Sequence, residues 1–153
     1  RQRQMCIRDS TYTTSNKAVA TVDAAGKVTV KGPGVAKITV KAAATTDYKA
    51  TSKTVTVTVA PKKQSISLVN KIKKQLTIKW KKNTKASGYQ VVYSTNKKFT
   101  GKKTVRKAKT TTSYKIKGLK KGKKYYVKVR SYKTVNGKRI YGAYSTAKKA
   151  TIK

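Results

Sequence analysis

Histidine and glutamate are absent from this chain of 153 residues, and aspartate occurs only at positions 9, 23 and 47. Without imidazole there is no histidine base and no histidine metal ligand. Hydrolysis by paired carboxylates needs two acids flanking one bond, and a calcium cage needs more ligands than two carboxylates supply. Serine and threonine are plentiful but have no base to activate them. The glycine turns Gly32-Pro33-Gly34 and Gly118 to Gly122 lack the spacing of a phosphate-binding loop. No Arg-Gly-Asp tripeptide is present. An enzyme is not expected, and neither is a metal or a cofactor.

Cysteine is almost missing as well. Cys6 stands alone, so no disulfide can form within the chain. No apolar run approaches the ~20 residues that span a bilayer, so membrane insertion by a helix is not expected. Helix punctuation and long stripes of 3.6-residue period are also absent.

What is present is positive charge on an alternating pattern. Lys and Arg number 40 against three acids, for a net charge of +37. Thirty of these cations lie in residues 61–153, which contain no acid at all. High net charge with modest hydrophobicity also marks disorder, but regular apolar alternation, with abundant Thr and Val, favours a folded all-β chain. The clearest stretch runs from Gly118 to Tyr132. Tyr125, Val127 and Val129 share one face of a strand, and Tyr126, Lys128, Arg130 and Tyr132 share the other.

Residues 1–10 differ from the rest, holding the only Met, the only Cys and half of the arginines. They are expected to be foreign to the domains or disordered, with a natural terminal arm as the alternative, and are set aside from the fold. From Tyr12 a turn at Ser15-Asn16 leads to a strand over Val19–Val22. Asp23 to Gly26 forms a tight turn, since Asp caps such turns and Gly supplies positive φ. Val28–Val30 and the set Ala36, Ile38 and Val40 follow, and Lys53 to Ala60 turns Val55, Val57 and Val59 inward. This ordered set resembles the bacterial Ig-like group 2 domain over about residues 12–60. The resemblance implies about thirty further residues before the Ser15-Asn16 turn, so the first domain is expected to be incomplete.

Residues 61–63 are expected as a linker between a partial domain at 11–60 and a second at 64–153, with Pro61 stopping the ladder. Strands are predicted at Ser65–Val69, at Gln75–Lys81 with Leu76, Ile78 and Trp80 inward, and around Tyr89, Val91 and Tyr93. Further strands centre on Val105, on Tyr114 and Ile116, and on the stretch after Gly118. Asn136-Gly137 turns the chain into the last. Seven strands, Trp80 on the second, Tyr-x-Val-x-Tyr on the third and a leucine six residues before a tyrosine resemble the fibronectin type III domain. The resemblance implies two Ig-like β-sandwiches in tandem. Trp80, Leu119 and Tyr125 then serve structure, with the Tyr125 hydroxyl bonded back to upstream backbone at the corner.

The candidate binding face is Tyr126, Lys128, Arg130 and Tyr132, joined across the sheet by Gln90 and Val92. Its plainest role is a solvated strand face. Its functional role is attraction for polyanions, since so many uncompensated charges raise a positive potential. The resemblance implies a monomeric spacer or adhesive module of a longer secreted or cell-surface protein of Gram-positive gut bacteria. Anionic cell-wall polymer is then the expected partner. The alternative is an accessory module of a secreted carbohydrate-active enzyme, gripping glycan through Tyr126 and Tyr132. Nucleic acid has the charge to attract it but no recognised motif, and is not expected as the physiological partner.

Overall fold

The computed structural model describes residues 10–153, and all regular elements among them are β-strands. The chain forms two compact units that divide between Val59 and Ala60. The expected foreign segment lies outside the described residues, except that Ser10 opens the first strand.

The first unit contains β1 (Ser10–Thr14), β2 (Ala20–Val22), β3 (Val28–Val30), β4 (Gly34–Ala42) and β5 (Thr51–Val59). Strands β1, β4 and β5 form an antiparallel sheet in that order, and β2 pairs with β3 in a short ribbon. The Asp23 carboxylate accepts from the backbone N–H groups of Ala25 (3.0 Å) and Lys27 (2.8 Å), which fixes the β2–β3 turn. Gly26 takes φ +81° there, and a Cβ at this position would lie 2.9 Å from the Tyr12 ring. The strand Ser10–Thr14 is one that the alternation did not reveal, because Thr11, Thr13 and Thr14 give no apolar period.

Val19, Ala20, Ala36 and Ile38 are the buried set of this unit, with Val22, Val57 and Val59 at its margin. Val55, expected inside, is 52% exposed, and Val28 and Val30 are 41% and 57% exposed. Alternation assigns residues to a face but does not cover the face. Val55 stands on the outermost strand opposite buried Ile38, and the buried set reaches only as far along β5 as Val57.

The second unit contains β6 (Ile66–Val69), β7 (Leu76–Trp80), β8 (Gly88–Ser94), β9 (Lys103–Ala108), β10 (Ser113–Ile116), β11 (Lys124–Val135), β12 (Lys138–Tyr141) and β13 (Lys148–Thr151). One sheet runs β10-β7-β6. The other runs β12-β11-β8-β9, and β13 also pairs with β11. Strands β12 and β13 are two pieces of one final strand position, so the sandwich has the expected seven. All pairings are antiparallel.

Leu76, Ile78 and Trp80 on one sheet face Tyr89, Val91, Val127 and Val129 on the other, all of them buried. Trp80 and Tyr89 pack with centroids 5.4 Å apart and planes tilted by 55°, an arrangement that suits the ring quadrupoles. The Tyr89 hydroxyl accepts from the Asn83 N–H at 2.6 Å. Pro61 is buried, and the Lys62 carbonyl accepts from the Ser131 hydroxyl at 3.2 Å. Residues read from sequence as linker are therefore bonded within the second unit. The β11–β12 hairpin turns on Asn136 (φ +48°) and Gly137 (φ +74°), the pair of positive φ values that a two-residue type I′ turn requires.

Leu119 is buried at the corner before β11, and its N–H donates to the Lys74 carbonyl at 3.0 Å. The Tyr125 hydroxyl accepts from the Lys120 N–H at 3.4 Å, on the upstream backbone. That bond is long and lies at the surface, so Tyr125→Phe is expected to lower stability by about 0.5–1.5 kcal/mol. Thermal melts of the two proteins check this, and coincident melts would mean that the hydroxyl adds nothing to the corner.

Candidate functional site

The register of β11 builds the site. Tyr126, Lys128, Arg130 and Tyr132 stand opposite Ser94, Val92, Gln90 and Gly88 of β8. Those rows continue to β9, where Val92 pairs with Thr104 and Gln90 with Arg106. Lys128, Val92 and Thr104 therefore form one row across the outer face, and Arg130, Gln90 and Arg106 form the next. On the other side of β11, Tyr132 pairs with Tyr141 of β12.

The sequence set of four residues is thus brought onto one face, as period two requires. What the alternation could not show is how they are held. The chain leaves the sheet after Tyr141, at Gly142, where any Cβ would run into the Pro61 carbonyl oxygen. It returns at Ser145, whose N–H donates to the Val129 carbonyl (2.7 Å) while its hydroxyl oxygen accepts from the Val129 N–H (3.0 Å). This excursion carries Tyr144 over the outer face.

The result is an alternating stack of rings and cations. Lys128 Nζ lies 4.1 Å from the centroid of Phe99 and 4.4 Å from that of Tyr144. The Arg130 guanidinium carbon lies 4.4 Å from the Tyr144 centroid and 3.8 Å from that of Tyr141. Tyr141 meets Tyr132 edge-on at 5.7 Å, and Arg139 lies 5.6 Å from the Tyr132 centroid. Cation–π contacts contribute roughly 0.5–1 kcal/mol each at exposed sites, so the stack mainly fixes the positions of the charges. Gln90 reinforces it from beneath: its buried Oε1 accepts from Arg130 Nε (2.7 Å) and from the Tyr144 hydroxyl (3.1 Å). Val92, although on the outer face, is fully buried.

Phe99 reaches Lys128 from the loop after β8. Ser94, Asn96 and Thr100 tie that loop into a tight turn through side-chain bonds of 2.7–3.0 Å. Phe99 itself has φ +62°, a conformation that costs a bulky residue about 1–3 kcal/mol and persists only where its surroundings impose it. Phe99, Tyr144 and Gln90 complete the site, and the first two were missed from sequence because loops place them. The available signal was Tyr141-Gly142-Ala143-Tyr144-Ser145, where period two breaks between two aromatics.

Electrostatically the face is uncompensated. Burial first, then the charges of Lys102 and Arg130, hold the Lys128 ammonium below the usual lysine range. A cation with a lowered folded-state pKa weakens the fold while it is charged, and the penalty disappears as pH rises through that pKa toward the unfolded value. Tyr132 spends its ring on Tyr141 and Arg139, whereas Tyr126 is half-buried and has no ring partner among the described residues. No cluster of three or more His, Cys, Asp or Glu occurs among the described residues, and none of the described elements is a helix long and apolar enough to cross a membrane.

Fold and site together define an all-β chain of two units, the second a seven-stranded Ig-like sandwich. The fibronectin type III family model matches residues 59–146, more than half of the chain, and the chain belongs to that family. Ahead of it, the model of the intimin immunoglobulin-like domain matches residues 9–45. The expected order, an Ig-like domain and then fibronectin type III, is what these matches give, with the intimin-type model in place of the group 2 domain. No curated protein sequence matches the chain. Among solved structures, FN1–FN3 of chicken CNTN1 are similar with TM-score 0.54 and 18% identity, over 83% of this chain and 47% of that one. The sixth fibronectin type III domain of human fibronectin type III domain containing protein 3 is similar with TM-score 0.51 and 15% identity, over 63% and 88%. At these identities the likeness establishes the fold alone.

Proposed function

We propose that the protein is a non-catalytic extracellular spacer or adhesive module of a secreted or wall-associated bacterial protein, and that its cationic surface meets anionic cell-wall polymer. The observation that carries this is the outer face of the five-stranded sheet. Its cations are held in place by rings and by Gln90, in a unit with no carboxylate side chain to neutralise them. Fixed, like-signed charges raise the local concentration of a polyanion and gain from releasing its counterions. Intimin-type Ig-like and fibronectin type III domains, typical of surface proteins, support the location.

Glycan binding through the tyrosines is the second reading, and the unpartnered ring of Tyr126 favours it. Sugar stacking needs a free ring face, and the Tyr132 ring already carries Tyr141 and Arg139. Retention of the full chain on purified wall teichoic acid and on neutral glycans separates the two. The expected result is retention on teichoic acid, undiminished by Tyr126→Ala. Retention on neutral glycan alone, lost with Tyr126→Ala, would overturn the proposal.

A further inference from the structure

We propose that Lys102, Lys128 and Arg130, with Arg106 beside them, form a discrete site for a phosphate-type oxyanion on the outer face of the five-stranded sheet. The site deepens the polyanion reading above, by giving the polymer one defined point of grip within a diffuse cationic surface.

Two of these cations, Lys128 and Arg130, are held in place before any ligand arrives. Lys128 Nζ and the Arg130 guanidinium carbon each lie 4.4 Å from the Tyr144 centroid, so the two charges are no more than twice that distance apart. Rings cover Arg130, and Gln90 takes its Nε–H, which leaves the Nη edge as its remaining donor edge. A guanidinium presented by its edge matches two oxygens of a phosphate. Arg106 lies in the same row beyond Gln90, and Lys102 directly precedes β9, where its charge adds to that of Arg130 on the Lys128 ammonium. No aspartate or glutamate exists in residues 61–153 to compete for these donors. Pinning flexible side chains in advance removes part of the ordering cost of binding, and the strained backbone of Phe99 is one of the restraints that does so.

Titration of the full chain with inorganic pyrophosphate, followed by NMR at the Arg130 Nε–H and the β8 and β11 amides, tests the site. A saturable curve is expected, with the largest shifts at Arg130, Lys128 and Gln90. Lys128→Gln with Arg130→Gln should weaken binding by about tenfold or more. The turn pair Lys121→Gln with Lys123→Gln, which removes the same charge outside the face, should change it less than about twofold. Should the first double variant unfold, Lys102→Gln with Arg106→Gln substitutes, because both side chains are exposed and outside the ring stack. Equal losses in face and turn variants, or shifts spread evenly over all lysines, would overturn the discrete site. Teichoic acid retention that persists in that case leaves the polymer reading standing; a saturable pyrophosphate site without retention removes that reading and keeps the site.

Discussion

Trp80→Ala is expected to destabilise the second unit by about 3–5 kcal/mol, the range for removing a large buried aromatic and leaving a cavity. Trp80 is 6% exposed and packs on Tyr89, which is fully buried, in the set that joins the two sheets. In a unit of this size each kcal/mol lowers the midpoint by roughly 4–8 °C, so the melt should fall by at least about 12 °C. Trp80→Phe is the control. The indole Nε1 has no hydrogen-bond partner among the described residues, so losing its N–H forfeits no bond. The phenylalanine variant should therefore retain most of the stability, since what remains is a modest change of volume. Near-equal melts of the alanine variant and the wild type would mean that the sheets do not close over this residue.

The second unit was legible because its strands are half-buried and regular. Leu76, Ile78 and Trp80, then Tyr89 and Val91, then Val127 and Val129, repeat at period two and all prove buried. Asn136-Gly137 and the Leu119–Tyr125 corner supplied punctuation that period alone lacks. The first unit was harder to read. The threonine-rich β1 carries little apolar signal, and Val28, Val30 and Val55 alternate as inward residues would while standing exposed. A pattern names the face; only a neighbouring layer buries it.

The same limit governs the site. Tyr126, Lys128, Arg130 and Tyr132 could be placed on one face because strand geometry depends on chain-local alternation. Phe99 and Tyr144 could not, because they arrive on loops whose paths are set by Asn96, Gly142 and Ser145. Their arrival changes the chemistry expected of the face. Tyr132, a stacking platform on alternation alone, has its ring engaged by Tyr141 and Arg139, while Lys128 and Arg130 gain fixed positions.

Binding to anionic polymer should have the largest response to conditions. For nucleic acids each neutralised phosphate adds roughly 0.7–0.9 to the slope of log affinity against log salt, and six to ten contacts lose about 10³–10⁵ in affinity between 50 and 200 mM salt. A flexible polyphosphate polymer meeting residues 61–153, with thirty cations and no acid, should behave in the same way. Stability should move in the opposite direction, because added salt screens the self-repulsion of the unit and raises its melting midpoint. Salt that weakens binding while strengthening the fold identifies charge, and not unfolding, as the cause.

The most direct test is the affinity of the full chain for purified teichoic acid at two salt concentrations, with the wild type, Lys128→Gln with Arg130→Gln, Tyr126→Ala and Tyr132→Ala. A steep salt dependence is predicted, with a lower slope in the charge variant, residual affinity from the remaining lysines, and little change in either tyrosine variant. A salt-independent affinity that collapses when Tyr126 is removed would contradict the account and leave glycan stacking in its place.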